Sequence, residues 1–144
     1  MSEARDLVEA HNRVFNDRDW SRAPEVLSPD VQSTAPGVGT LTGIDPFIGF
    51  AKGFIVALPD SRLEVDTVTE QGNRVVCEGR YTGTHTGPLM TPQGEVPPSG
   101  RTLNLPYADV FDIEAGRIAR HRTYYDQMDF ALQLGLIPEP AAAS

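Results

Sequence analysis

Residues 101–126 read RTLNLPYADVFDIEAGRIARHRTYYD. Both arms alternate with period two around Glu114-Ala115-Gly116, the pattern of two antiparallel strands joined by a tight turn. In the first arm Tyr107, Asp109 and Phe111 share one face, with Ala108, Val110 and Asp112 on the other. In the second arm Ala119, His121, Thr123 and Tyr125 share a face, opposite Arg120, Arg122 and Tyr124. Two arginines at alternate positions mark a solvated or interfacial side, so the His121 face is the inward candidate.

The pattern extends outward from this hairpin. RLEVDTVTE (62–70) alternates Leu63, Val65 and Thr67 against Glu64, Asp66 and Val68. Gln71-Gly72-Asn73 is a hairpin turn signal. RVVCEGRYTGTH (74–85) follows, with Glu78, Arg80, Thr82 and Thr84 on one face and Cys77, Gly79, Tyr81, Gly83 and His85 on the other. Residues 86–100 form a Pro/Gly-rich stretch too long for an ordinary turn, which suggests a functional loop or lid.

Helical signals lie at both ends. Residues 5–16 place Leu7, Val8, His11, Val14 and Phe15 on one stripe, an amphipathic helix with a histidine in its apolar face. A second short helix is expected over 20–27, stopped by Ser28-Pro29-Asp30. Residues 31–43 are turn-rich with one short strand. A further helix fits 45–57, with Asp45 as N-cap and Pro46 at the first helical position. Leu58-Pro59-Asp60 ends it. A final short helix begins after Asp126, with Gly135 placed as a C′ glycine, and residues 137–144 are expected to be loosely ordered. The whole is one α+β domain over residues 1–144: a cone-shaped curved antiparallel sheet, closed by N-terminal helices around an apolar pocket.

Composition narrows the function classes. A net charge of -8 with 12 scattered Lys and Arg repels a polyanion, so nucleic acid is not an expected partner. No segment approaches the ~20 apolar residues of a membrane span, and no secretory leader pattern opens the chain. The single cysteine, Cys77, allows no internal disulfide and suits a reducing cytoplasm. There is no phosphate loop, no nucleophile elbow and no metal-ligand spacing. His11, His85 and His121 lie far apart in sequence.

The inward strand faces supply the candidate site. Asp109, flanked on its own face by Tyr107 and Phe111, is either a desolvated carboxylate suited to proton transfer or an ordinary acid on a solvated face. His121 near a carboxylate makes an acid/base pair at neutral pH, or else is simply hydrogen-bonded within a polar strand. Asp126 either caps the last helix or turns into the pocket mouth. His11 faces the open side of the cone, and Phe15 follows it on the same stripe. Tyr81 is placed to donate to a substrate carbonyl, while His85 either joins the pocket or orders the long loop. Tyr107, Thr123 and Tyr125 complete the lining.

Four stretches carry a family resemblance: Leu58-Pro59-Asp60, Thr82-Gly-Thr-His-Thr-Gly87, Gly116-Arg-Ile118, and HRTYYDQMDFALQLG at 121–135. Their order and spacing resemble the SnoaL-like polyketide cyclase family, within the nuclear-transport-factor-2-like superfamily of cone-shaped folds. The resemblance implies a small cytoplasmic enzyme of secondary metabolism, working by acid/base chemistry without metal or organic cofactor. The expected reaction is cyclisation, isomerisation or dehydration of a hydrophobic carbonyl compound. It also implies a homodimer, paired through a convex face carrying Glu78, Arg80, Arg120 and Arg122. Aligned on this chain, the family's acid/base aspartate falls on Thr123 and its pocket histidine on Asp109. A threonine is no general base near neutral pH, so the proton chemistry shifts to Asp109 or is absent. Two alternatives follow: epoxide opening by Asp109, Asp126 and Arg122, and ligand binding without chemistry.

Overall fold

The computed structural model describes residues 3–91 and 93–138. Helix α1 (Glu3–Asp17) is followed by a short 3-10 turn (Trp20–Arg22) and helix α2 (Ala23–Val26). Strands β1 (Leu27–Ala35) and β2 (Gly39–Thr42) lead into helix α3 (Ile44–Ala57). Strands β3 (Arg62–Gln71), β4 (Arg74–Thr84), β5 (Leu89–Thr91), β6 (Gly94–Val96), β7 (Thr102–Glu114) and β8 (Arg117–Tyr125) precede helix α4 (Gln127–Gln133). Six strands form one sheet in the order β2-β1-β8-β7-β4-β3, while β5 and β6 form a separate hairpin. The expected α+β cone is present; its sheet is open, and mostly rather than wholly antiparallel, because β1 joins β8 in parallel.

Several local expectations are corrected. Ser28-Pro29-Asp30 does not stop a helix; it lies inside β1, in the gap of the β1–β8 ladder between Leu27 and Gln32. That gap is where a residue lacking an N–H does least harm. The turn-rich 31–43 segment is the rest of β1 plus all of β2. Helix α3 starts one residue earlier than expected: Gly43, at φ +102, is its N-cap, so Asp45 sits in the first turn and makes no cap. The long 86–100 segment is occupied by the β5–β6 hairpin. Of the tail, residues 139–144 lie outside the described residues.

Two bulges re-phase the inner face. In β3 the register breaks between Val65 and Thr67, so Leu63 and Val68 pack on the core clusters while Val65 is exposed. In β8 the break opposite Asp112 and Ile113 lets Ile118, rather than Ala119, share the buried side with His121. One extra residue in one strand makes such a shift.

Helix α1 is pinned across the sheet's open side. Asn16 brackets Leu63, donating to its carbonyl at 3.2 Å and accepting from its N–H at 2.8 Å. The Arg18 guanidinium donates to the carbonyls of Phe15, Pro59 and Ser61. Two core clusters result. One centres on Val8, Val31, Val75, Phe111 and Ile118, the other on Leu58, Leu103, Leu105, Tyr107 and Leu134.

Gly79 shows how tightly β3 and β4 coil: a Cβ there would fall 2.1 Å from the Glu64 carbonyl oxygen. Gly79→Ala therefore forces the backbone apart, with an expected cost of about 1–3 kcal/mol. Gly49, in α3, has nothing within 4 Å of the same built atom, so Gly49→Ala is expected to stabilise by roughly 0.5–1 kcal/mol. Urea unfolding of both variants checks the pair of signs.

Candidate functional site

Where the two core clusters meet, a cavity of about 100 Å³ opens inside the cone. Helix α1 contributes His11 and Phe15, and α3 contributes Phe47, Phe50 and Phe54. The sheet contributes Tyr81 from β4, Tyr107 and Asp109 from β7, and His121, Thr123 and Tyr125 from β8. A larger concavity of about 680 Å³ lies elsewhere, between the start of α1 and the hairpin tips at Asn73 and Gly116. It is a surface groove rimmed by Asp6, Arg13 and Arg22 and does not touch Asp109. The small cavity encloses the buried acid, so it is the better candidate.

Strand register builds the polar end. Asp109 stands opposite Thr123, and Phe111 opposite His121. Asp109 and His121 are thus diagonal neighbours on one face, within reach of each other's side chains. His121 Nε2 lies 3.4 Å from Asp109 Oδ1, and the two residues are 7% and 4% exposed. A carboxylate this deep demands a partner; the imidazole is in contact, yet Asp109 Oδ1 and His121 Nε2 are both buried without a hydrogen bond. Asp109 and Thr123, the two positions singled out by the family resemblance, both face the cavity.

Burial also fixes the neighbouring phenols in their protonated form. Desolvation, then the charge of Asp109, pushes the Tyr107 hydroxyl well above its ordinary value. Desolvation lifts Tyr81 to about 12 and raises Tyr125 as well. Each can act as a hydrogen-bond donor at neutral pH.

His11 is buried rather than peripheral. Its ring centroid lies 5.0 Å from that of Phe111 and 5.5 Å from those of Phe47 and His121. Its Nδ1 lies 3.0 Å from Asn12 Oδ1. Burial, then the neighbouring His121, pulls its pKa from 6.5 to about 4, against opposing pulls from Asn12 and Asp109.

Sequence reasoning brought together Asp109, His121, His11, Phe15, Tyr81, Tyr107, Thr123 and Tyr125, all of which line the cavity. It missed Phe47, Phe50 and Phe54, whose helix reads as an ordinary apolar face. It also missed Asn12, for which its place beside His11 was the available signal.

Two expected residues are placed elsewhere. Asp126 caps α4: its Oδ1 accepts from the N–H groups of Met128 at 2.9 Å and Asp129 at 3.1 Å. His85 is fully buried and organises the long loop, with Nδ1 2.8 Å from Ser99 Oγ and accepting from the Ser99 N–H at 3.2 Å. Arg122 pairs at 3.4 Å with Asp112, outside the cavity. The trio needed for epoxide opening is not assembled. Among the described residues, no group of three or more His, Cys, Asp or Glu converges as a metal site, and no helix is long and apolar enough to cross a membrane.

Two outcomes follow from this geometry. Asp126→Ala is expected to cost about 1 kcal/mol in urea unfolding and to leave ligand binding unchanged. For His11, the folded state stays neutral while the unfolded chain takes up a proton near pH 6.5. Stability is therefore lost as pH falls from there toward 4, about 2 kcal/mol between pH 7.5 and pH 5. His11→Gln should flatten the pH dependence of urea unfolding by that amount, and an unchanged profile would refute the assignment.

The family model for the SnoaL-like polyketide cyclases matches residues 5–134. No curated protein matches the sequence. Among solved structures, a candidate polyketide cyclase from Xanthomonas campestris pv. campestris is 27% identical, with a TM-score of 0.80 over 92% of this chain and 96% of that one. A candidate SnoaL-like polyketide cyclase from Jannaschia sp. CCS1 is 24% identical, with a TM-score of 0.81 over 94% of each chain. IdmH, a candidate polyketide cyclase from Streptomyces antibioticus, is 23% identical, with a TM-score of 0.79 over 93% of this chain and 99% of that one. The last two likenesses speak for the fold alone. The match over residues 5–134 goes further: this chain belongs to the SnoaL-like polyketide cyclase family.

Proposed function

We propose that this chain is a small-molecule enzyme of secondary metabolism that moves protons next to a carbonyl in a hydrophobic substrate. Cyclisation, isomerisation and dehydration all begin with that step. The observation that carries the proposal is the Asp109–His121 contact, buried at 3.4 Å within an aromatic cavity. Asp109 removes a proton from the carbon beside the carbonyl. The C–H electron pair moves into the new C=C bond, and the carbonyl oxygen takes up the negative charge. A phenol donor among Tyr81, Tyr107 and Tyr125 stabilises that oxygen, an interaction strengthened where water is excluded. His121 holds the charge of Asp109 and exchanges protons with it, so the acid regenerated in one half-reaction is available in the next.

A second reading, ligand binding without chemistry, is favoured by one feature: Thr123 stands where the family keeps its acid. A single-ring aryl ketone separates the two. Acetophenone in D₂O, followed by proton NMR, is expected to lose its methyl protons faster with the protein than with buffer alone. Asp109→Asn should slow that exchange at least about 10²-fold while affinity stays within a few-fold. Exchange at the wild-type rate in the variant would sink Asp109 as the base. No acceleration by the wild type, with acetophenone bound, would favour the binding reading.

A further inference from the structure

Asp109 and His121 account for proton transfer, yet a third titratable ring, His11, is buried against them from α1. Beside it is Asn12, 8% exposed, an uncommon depth for a primary amide. The two side chains meet at 3.0 Å, His11 Nδ1 to Asn12 Oδ1. An amide oxygen only accepts, so the hydrogen of this bond belongs to Nδ1. Asn12 also lies beside the buried Cys77 thiol, and Cys77 stands opposite Asp109 in the β4–β7 ladder. The Asn12 amide thus turns its oxygen toward the imidazole.

With Nδ1 committed to Asn12, Nε2 carries the lone pair and is the polar atom His11 has left for the cavity it lines. Burial, and then His121, keeps the ring neutral, so Nε2 stays an acceptor. Alongside the tyrosine donors, the cavity then presents two acceptors, the Asp109 carboxylate and His11 Nε2. A carboxylate or phosphate placed between Asp109 and His11 would face both lone-pair sets. A hydroxyl would satisfy one of them with its own hydrogen. A cavity of about 100 Å³ is on the scale of one six-membered ring, since an apolar cavity of about 150 Å³ takes up benzene.

We propose that Asn12 is a positioning residue that locks His11 as the Nδ1–H tautomer, and that His11 Nε2 selects an uncharged, single-ring ligand bearing a hydroxyl: a phenol or a cyclic enol. This rests on the cavity of the proposed function being the ligand site, but not on Asp109 acting as a base.

Nitrogen-15 NMR of histidine-labelled protein at pH 7 reads the tautomer without any ligand. His11 Nδ1 is expected to resonate as a protonated, pyrrole-type nitrogen and Nε2 as an unprotonated, pyridine-type one. Asn12→Asp keeps an acceptor oxygen and should preserve that signature, whereas Asn12→Leu should lose it. Loss in both variants, or an Nε2–H tautomer in the wild type, overturns the lock. Calorimetry with phenol and anisole, which differ by the hydroxyl hydrogen, reads the selection. Wild type is expected to bind phenol at least about 10-fold tighter, the worth of one well-placed hydrogen bond. The preference should collapse in Asn12→Leu and His11→Phe and survive in Asp109→Asn. Equal binding of the two probes, no binding of phenol, or a preference lost in Asp109→Asn alone overturns the selection by His11. Failure of Asp109→Asn to slow acetophenone exchange would instead sink the catalytic proposal and leave this one standing.

Discussion

A carboxylate with 4% of its surface exposed is costly unless something nearby answers its charge. In this fold His121 comes within 3.4 Å of it, in contact but without a hydrogen bond, and much of the surrounding structure can be understood as what keeps that imidazole in place. Ile118 and His121 are three residues apart, so in a regular strand they would point to opposite faces. The break in the β7–β8 ladder beside Ile113 turns both inward, filling the core with one and the site with the other. The break in β3 does the same for Leu63 and Val68. The clamps from Asn16 and Arg18 then lay α1 across the mouth, setting His11 and Phe15 above the pair and excluding water from it.

The strands and their faces were largely legible, because alternation along β4, β7 and β8 is strong and their turns carry Gly72 and Gly116. Parity grouped Tyr107 with Asp109, and His121 with Thr123 and Tyr125; the paired arginines marked the second face as inward, while the first pointed inward only with the family resemblance. What stayed hidden depends on contacts distant in sequence. Strand β1 contains a proline and pairs in parallel with a strand some ninety residues later, and nothing local announces such a partner. The bulges leave no mark in the residue pattern. Asp126 could be a cap or a catalytic group until two backbone N–H groups were seen on its oxygen. The phenylalanines of α3 look like any core-facing stripe, and only the cavity beneath distinguishes them.

Family membership and chemistry rest on different residues. The match runs over 5–134, a length set by packing and by signals such as Gln133, whose amide brackets the Asn104 backbone at 2.7 and 3.0 Å. The proposed chemistry rests on very few side chains. Thr123 occupies the position expected of the family's acid, and Asp109 stands directly across from it on β7. A carboxylate one ladder rung across is aimed at the same space but has other neighbours, here Tyr107, Cys77 and two imidazoles.

Whether that pair organises the interior can be measured without a substrate. In a double-mutant cycle of urea unfolding at pH 7, using Asp109→Asn, His121→Gln and the double variant, a coupled buried pair gives an interaction energy of about 1–3 kcal/mol. Costs that add to within about 0.5 kcal/mol would mean that Asp109 and His121 are neighbours in space but not partners.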